Sequence, residues 1–149
     1  MIKYNKIVVA TDCSEASTAA IRCAGELADH ADAEIHLLHV IEPSLYFETD
    51  MVSIPPLEEV DSAMKKGAMR RIKAQIEQFD FDIIVHLQEA AGDPSRTICQ
   101  FAKSLPADLI VIGRRGEKGV VQHILMGSTT ERVVAHAPCS VLVHTPPSE

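Results

Sequence analysis

The chain has 149 residues, enough for one domain with a substantial core, and its 21 acidic against 14 basic side chains leave a formal charge of -7. That field repels nucleic acid and anionic membranes, and no continuous basic run offsets it, so neither is expected as a partner. The apolar part of the N-terminus, Ile7 to Ala10, is too short for a signal-peptide core or a membrane span, and a cytoplasmic protein with a single domain over residues 1–149 is expected.

The four cysteines, Cys13, Cys23, Cys99 and Cys139, lie far apart with no Cys-x-x-Cys pair, so reduced thiols are expected rather than a zinc site or a disulfide framework. Cys13 stands where a helix is expected to start, a place that can raise thiol reactivity; the alternative is a compact apolar filler.

Lys6 to Thr11, KIVVAT, is β-branched without a period-two polar face, the pattern of a parallel strand buried on both sides. In Asp12-Cys13-Ser14, either Asp12 or Ser14 can cap the helix that follows. There Ala16, Ala19, Ala20, Cys23, Ala24, Leu27 and Ala28 recur at helical spacing up to His30. Their small size implies close packing on a sheet. Glu34 to Val40, EIHLLHV, is the second strand, and the helix between makes a right-handed parallel crossover. Ile41 to Leu57, with three prolines, reads as a long loop at the carboxyl end of that strand.

From Glu58 to Gln78 a helix is marked by Val60, Met64, Ala68, Ile72 and Ile76 on one stripe, with a basic cluster mostly off it. No aromatics are interleaved with those cations, which makes them a solvated face rather than a nucleic-acid surface. Asp82 to Gln88 is the third strand, and Asp93-Pro94 opens a helix running to about Leu105, with Asp93 as cap and Pro94 in the first turn. Leu109 to Ile112 is the fourth strand. A helix over Ser128 to His136 stops before Pro138, Ser140 to His144 is the fifth strand, and Pro146-Pro147 ends the pattern. The alternation indicates an α/β fold with a parallel sheet covered by helices on both faces. The loops after Thr11, Val40 and Ile112 all follow strands, so they converge at the carboxyl edge, where such sheets bind ligands.

Asp108 to Thr130, DLIVIGRRGEKGVVQHILMGSTT, has the composition of an anion site. Gly113, Gly116 and Gly127 allow close backbone approach and positive φ, a helix starting near Ser128 presents free amides, and Arg114 and Arg115 add charge. An ordinary turn and cap at Gly127-Ser128 is the competing reading. The histidines show no helical His-x-x-x-His spacing with a carboxylate, so no metal site is expected, although His123 lies beside this stretch.

With IVVATDCSEAS, LLHVIEP, GDPSRTI, ADLIVIGRRG and GSTTERVVAHAPCSVLVH in order at element boundaries, the chain resembles the universal stress protein family over its whole length. The resemblance implies an open five-stranded parallel sheet of order 3-2-1-4-5, the adenine nucleotide alpha hydrolase-like arrangement. It also implies a homodimer paired through the last strand, here Ser140 to His144. Carried over by position, Asp12 matches the carboxylate near the nucleoside and Val40 the residue whose backbone meets the adenine edge, with Ala10 and Thr11 on the same floor. Gly113, Gly116, Gly127, Ser128 and Thr129 match the phosphate and ribose contacts, while Arg114 and Arg115 occupy variable positions. The spacer Glu117 to Met126 has ten residues, one more than the family pattern, and the extra one is expected to be absorbed as a bulge.

The implied ligand is ATP or a related adenine nucleotide, alone or with magnesium. The implied role is signalling or protection under stress; the alternative is a nucleotide-free dimeric interaction module. No Gly-x-Ser-x-Gly elbow, Walker lysine motif or triad is present, so no dedicated catalyst is expected. Slow ATP hydrolysis near Asp12 is the most that the residues offer, with His123 the other acid-base candidate.

Overall fold

The computed structural model describes residues 1–42, 57–90, 92–115 and 126–147. Five strands form one sheet: β1 (Lys6–Thr11), β2 (Glu34–Ile41), β3 (Ile84–Glu89), β4 (Leu109–Gly113) and β5 (Ser140–His144), in the order β3-β2-β1-β4-β5. Every pairing is parallel. The interleaved helices are α1 (Glu15–Ala31), α2 (Leu57–Ile76), α3 (Pro94–Ser104) and α4 (Ser128–His136).

Side-chain alternation along the central strands divides the core in two. Ile7 and Val9 of β1 and Leu109 and Val111 of β4 pack with Ala20, Ile21 and Ala24 of α1 and Ile72 of α2. Val8 and Ala10, with Ile110 and Ile112, face the other way onto Ile98, Phe101 and Ala102 of α3 and Val133 of α4. Both faces of β1 and β4 are therefore buried, which is why their sequences lack a polar period.

Several element limits differ from the pattern. β2 runs on to Ile41 and β4 to Gly113, because the ladders continue to Ile41 opposite Glu89 and to Gly113 opposite His144. β3 starts at Ile84 rather than Asp82; as an edge strand it has a ladder on one side only, and that ladder begins at Ile84 opposite His36. Among the described side chains of α2, Ala68, Ile72 and Gln75 are the buried ones, so the apolar stripe of the helix is used in its C-terminal half. The loop expected over Ile41 to Leu57 lies, from 43 to 56, outside the described residues.

Helix starts follow the capping residues. Ser14, not Asp12, is the N-cap of α1, its hydroxyl accepting from the Ser17 amide at 3.2 Å, while Asp12 Oδ1 accepts from the Ser14 amide at 3.0 Å in a local turn. Asp93 caps α3 by accepting from the Ser95 amide at 3.0 Å with Pro94 next, and Gly92 before it holds φ 95, a conformation that needs glycine.

One polar pair lies among the apolar side chains of the α3 face. His36 Nε2 donates to Glu34 at 3.1 Å, which in the neutral ring leaves Nδ1 to accept from His86 Nε2 at 3.0 Å. Burial, with the neighbouring His36, pushes His86 below the ordinary imidazole value.

Candidate functional site

The carboxyl ends of β2, β1 and β4 and the N-termini of α1, α3 and α4 border a cleft of about 530 Å³, within the size range of small-molecule sites. Across three adjacent strands the span from β2 to β4 is about 10 Å. Leu38, Val40, Ile98 and Ile112 supply apolar surface; Thr11, Asp12, Ser14 and His39 form a polar wall beside the start of α1; Arg115, Gly127, Ser128 and Thr129 lie at the start of α4. The cleft thus combines an apolar surface drawn from β2, α3 and β4 with a polar wall at the start of α1 and a start of α4 rich in hydroxyls and amides.

Local geometry holds each wall. At the first, the Thr11 carbonyl accepts from His39 Nδ1 at 2.8 Å; a carbonyl cannot donate, so Nδ1 carries the proton and Nε2 of the neutral ring is an acceptor. Cys13 sits at φ 65, left-handed backbone that non-glycine residues adopt only where the surroundings over-determine it. At the second wall, Gly127 is the N-cap of α4 with φ -66 and ψ 152, and no side chain caps the helix. The residues at its start line the cleft, and a helix N-terminus carries free amides and partial positive charge. The Gly127 amide donates to the Arg114 carbonyl at 2.8 Å, and the buried Thr130 hydroxyl donates to the Gly113 carbonyl at 2.8 Å, which lashes α4 to the end of β4.

Asp93 ties a third element to this assembly. Burial acts against its ionised form, but the Ser95 amide and hydroxyl and the Arg132 guanidinium, 3.0 Å away, together hold its carboxyl below the ordinary range. The bond joins the start of α3 to the middle of α4.

Of the residues singled out in the sequence, Ala10, Thr11, Asp12, Val40, Gly113, Arg115, Gly127, Ser128 and Thr129 all line this one cleft. Arg114 does not line it: its backbone amide donates to the His144 carbonyl at 3.1 Å. Gly116, His123 and all of the spacer but Met126 lie outside the described residues. The expectation of positive φ is corrected at Gly113 and Gly127, since Gly92 is the glycine with positive φ among the described residues. Gly113 is needed for another reason: a Cβ there would stand 3.1 Å from the Ala16 carbonyl oxygen and 3.2 Å from its Cβ, so the missing side chain lets α1 approach β4.

Sequence reasoning passed over His39, Ser14, Glu42 and Glu131, which also line the cleft. Ser14 was visible as a cap. Nothing in the local pattern marked His39, whose role depends on the parallel register that sets it opposite Thr11. The acidic Asp12, Glu42 and Glu131 stand against Arg115 in the described lining. Among the described residues no group of three or more metal-ligating side chains gathers, and no helix is long and apolar enough to cross a membrane. All four cysteines are free, and burial, the largest cause in each, pushes the Cys23, Cys99 and Cys139 thiols up, away from reactivity.

Comparison with known proteins bears on this arrangement. The model of the universal stress protein family matches residues 3–144. Universal stress protein MJ0531 of Methanocaldococcus jannaschii is 34% identical over 98% of this chain and 85% of its own length. Among solved structures, universal stress protein UspA from Lactobacillus plantarum is 31% identical with a TM-score of 0.73, covering 96% of this chain and 99% of that one. The universal stress protein from Archaeoglobus fulgidus in complex with dAMP is 25% identical with a TM-score of 0.60, covering 96% and 98%. With the sheet order, the match along nearly the whole chain and these relatives in agreement, the chain belongs to the universal stress protein family.

Proposed function

We propose that this protein binds ATP or a related adenine nucleotide in the cleft at the carboxyl edge of its sheet, as a cytoplasmic homodimer whose occupancy serves as a stress signal. The observation that carries the reading is the placement of Val40, Asp12 and the side-chain-free cap of α4 around one cleft. A flat apolar base fits against Val40 and Ile98, ribose hydroxyls meet the carboxylate of Asp12, and phosphate oxygens accept from the amides at Ser128 and Thr129. The dAMP held by the Archaeoglobus fulgidus relative supports the choice of an adenine nucleotide. Magnesium offsets the negative charge that Asp12, Glu42 and Glu131 bring beside a phosphate chain.

The dimer is supported by β5, an edge strand that among the described residues pairs with β4 alone and whose Val141, Leu142 and Val143 are only partly buried. Such an edge invites pairing with a second copy.

Calorimetric titration with ATP, with and without magnesium, tests the ligand, and light scattering tests the dimer. Gly127→Val is the informative variant. The extended backbone at 127 admits valine at the cost of a poorer N-cap, and the added side chain is expected to stand before the α4 amides. Affinity for ATP is expected to fall at least about a hundredfold with the oligomer unchanged; wild-type affinity in the variant excludes this cradle. The acidic lining favours a second reading, a nucleotide-free dimeric interaction module, and it takes over if the wild-type protein binds no nucleotide and carries none through purification.

A further inference from the structure

The Asp12-Cys13-Ser14 turn on the cleft wall is held from behind by a helix outside the cleft lining. Gln75, near the end of α2, is 8% exposed and meets the start of α1 with both ends of its amide. Its Nε2 donates to Thr18 Oγ1 at 2.8 Å and to Ser17 Oγ at 3.1 Å. Both of those hydroxyls give their protons to the Ser14 carbonyl, at 3.0 and 2.9 Å, so their oxygens are left as acceptors and the amide fits in one orientation. Oε1 then accepts the Thr11 hydroxyl at 2.7 Å, and Thr11 Oγ1 in turn accepts from the Cys13 amide at 3.0 Å. Cys13 is the left-handed residue of the turn. One helical turn earlier, Arg71 Nη2 approaches the Asp12 carbonyl at 3.4 Å.

Every polar member of this buried cluster has a partner, and each bond depends on the next. Removing the amide leaves the Thr11 hydroxyl with Ser17 Oγ, 3.0 Å away, as its acceptor, so it turns toward α1 and the oxygen that accepts from the strained Cys13 amide is no longer held from α2. Thr11 and Ser17 have further neighbours; the bridge from α2 to both is Gln75.

We propose that Gln75 is a positioning residue of the cleft, which sets the place of Asp12 by orienting Thr11 and so fixing the left-handed turn at Cys13. Its consequence for ligand rests on the nucleotide reading above, whereas its consequence for the turn does not. α2 thereby becomes a third determinant of the nucleoside wall beside β1 and α1.

Gln75→Leu keeps the volume and removes the amide. Alkylation of Cys13 by iodoacetamide, followed by mass spectrometry and normalised to Cys23 in the same sample, is expected to rise about fivefold. Affinity for ATP is expected to fall about tenfold. An unchanged Cys13 rate, or an unchanged affinity, overturns the proposal. Gln75→Glu covers the case in which leucine prevents folding. Its carboxylate still accepts from Thr11 but presents a second acceptor to Ser17 and Thr18, whereas the protonated acid restores a donor. Buried and facing two acceptors, that carboxyl is pushed above its ordinary value, so ATP affinity relative to wild type at the same pH is expected to be low near about pH 8 and to recover near about pH 5; a ratio that stays flat with pH overturns the proposal. A wild-type protein that binds no ATP defeats the function proposed above, and the Cys13 rates of the two variants then decide the role of Gln75.

Discussion

At the amino edge of the sheet, Asp108 Oδ2 accepts from the amides of Asn5 and Lys6 at 2.8 and 3.0 Å, and Lys6 Nζ donates to the Leu105 carbonyl at 3.0 Å. The Asp108 and Glu34 amides donate to the Lys6 and Asn5 carbonyls, so this edge is stitched shut by its own chain. At the carboxyl edge the same strands end in a cleft of about 530 Å³, with a helix that no side chain caps and a non-glycine residue held at φ 65. Polar capacity that one edge spends on itself is kept available at the other. Removing a polar group should therefore act mainly on stability at the first edge and mainly on ligand binding at the second.

Gly113→Val tests the point where the two demands meet. The added carbons press on Ala16, so a loss of about 1–3 kcal/mol is expected in chemical denaturation, together with weaker ATP binding as α1 is pushed from β4. A variant as stable as wild type would show that α1 yields freely and that the glycine serves the cleft alone.

Asp108→Ala should separate the edges. The loss of two amide partners is expected to cost about 1 kcal/mol at neutral pH, a moderate figure because water replaces part of what is lost, and to leave ATP affinity unchanged. The Asn5 and Lys6 amides, with the Lys6 charge, hold the Asp108 carboxyl below its ordinary value. Its contribution is thus complete above about pH 3.9 and disappears as pH falls through the lower folded-state value. Denaturation curves of wild type and variant should converge at the acid end; a constant gap across pH would assign the loss to something other than that ionisation.

Thr129→Ala carries the smallest expected change. Stability should stay within about 0.5 kcal/mol of wild type, while ATP affinity falls a few-fold as one hydroxyl is removed from the cleft. A stability loss larger than the affinity loss would contradict the division between the edges.

Much of this was legible from local chemistry. Asp93-Pro94 announced α3 because cap and first-turn preferences act within a few residues. Likewise Ser128–His136 and Ser140–His144 have the limits that Pro138 and the valine run imply. The cleft residues were found by motif resemblance and by the rule that strand ends gather ligands, which needs only the alternation of elements. What escaped was set by distant contacts. The requirement for Gly113 lies in Ala16, nearly a hundred residues away along the chain, and not in a positive φ. Gln75 sits just off an apolar stripe of α2 and reads as surface until α2 docks against α1.

The sequence by itself determined the α/β class, the two-sided burial of β1 and β4, most helix starts and the grouping of small and polar residues at the ends of strands. These follow from side-chain type and spacing, which local physics can read. Only the tertiary structure decided that Ser14 rather than Asp12 caps α1, that His39 pins the Thr11 carbonyl, and that α2 reaches the cleft wall through Gln75. Those outcomes depend on register and helix docking, where a displacement of a few ångströms exchanges one hydrogen-bond partner for another.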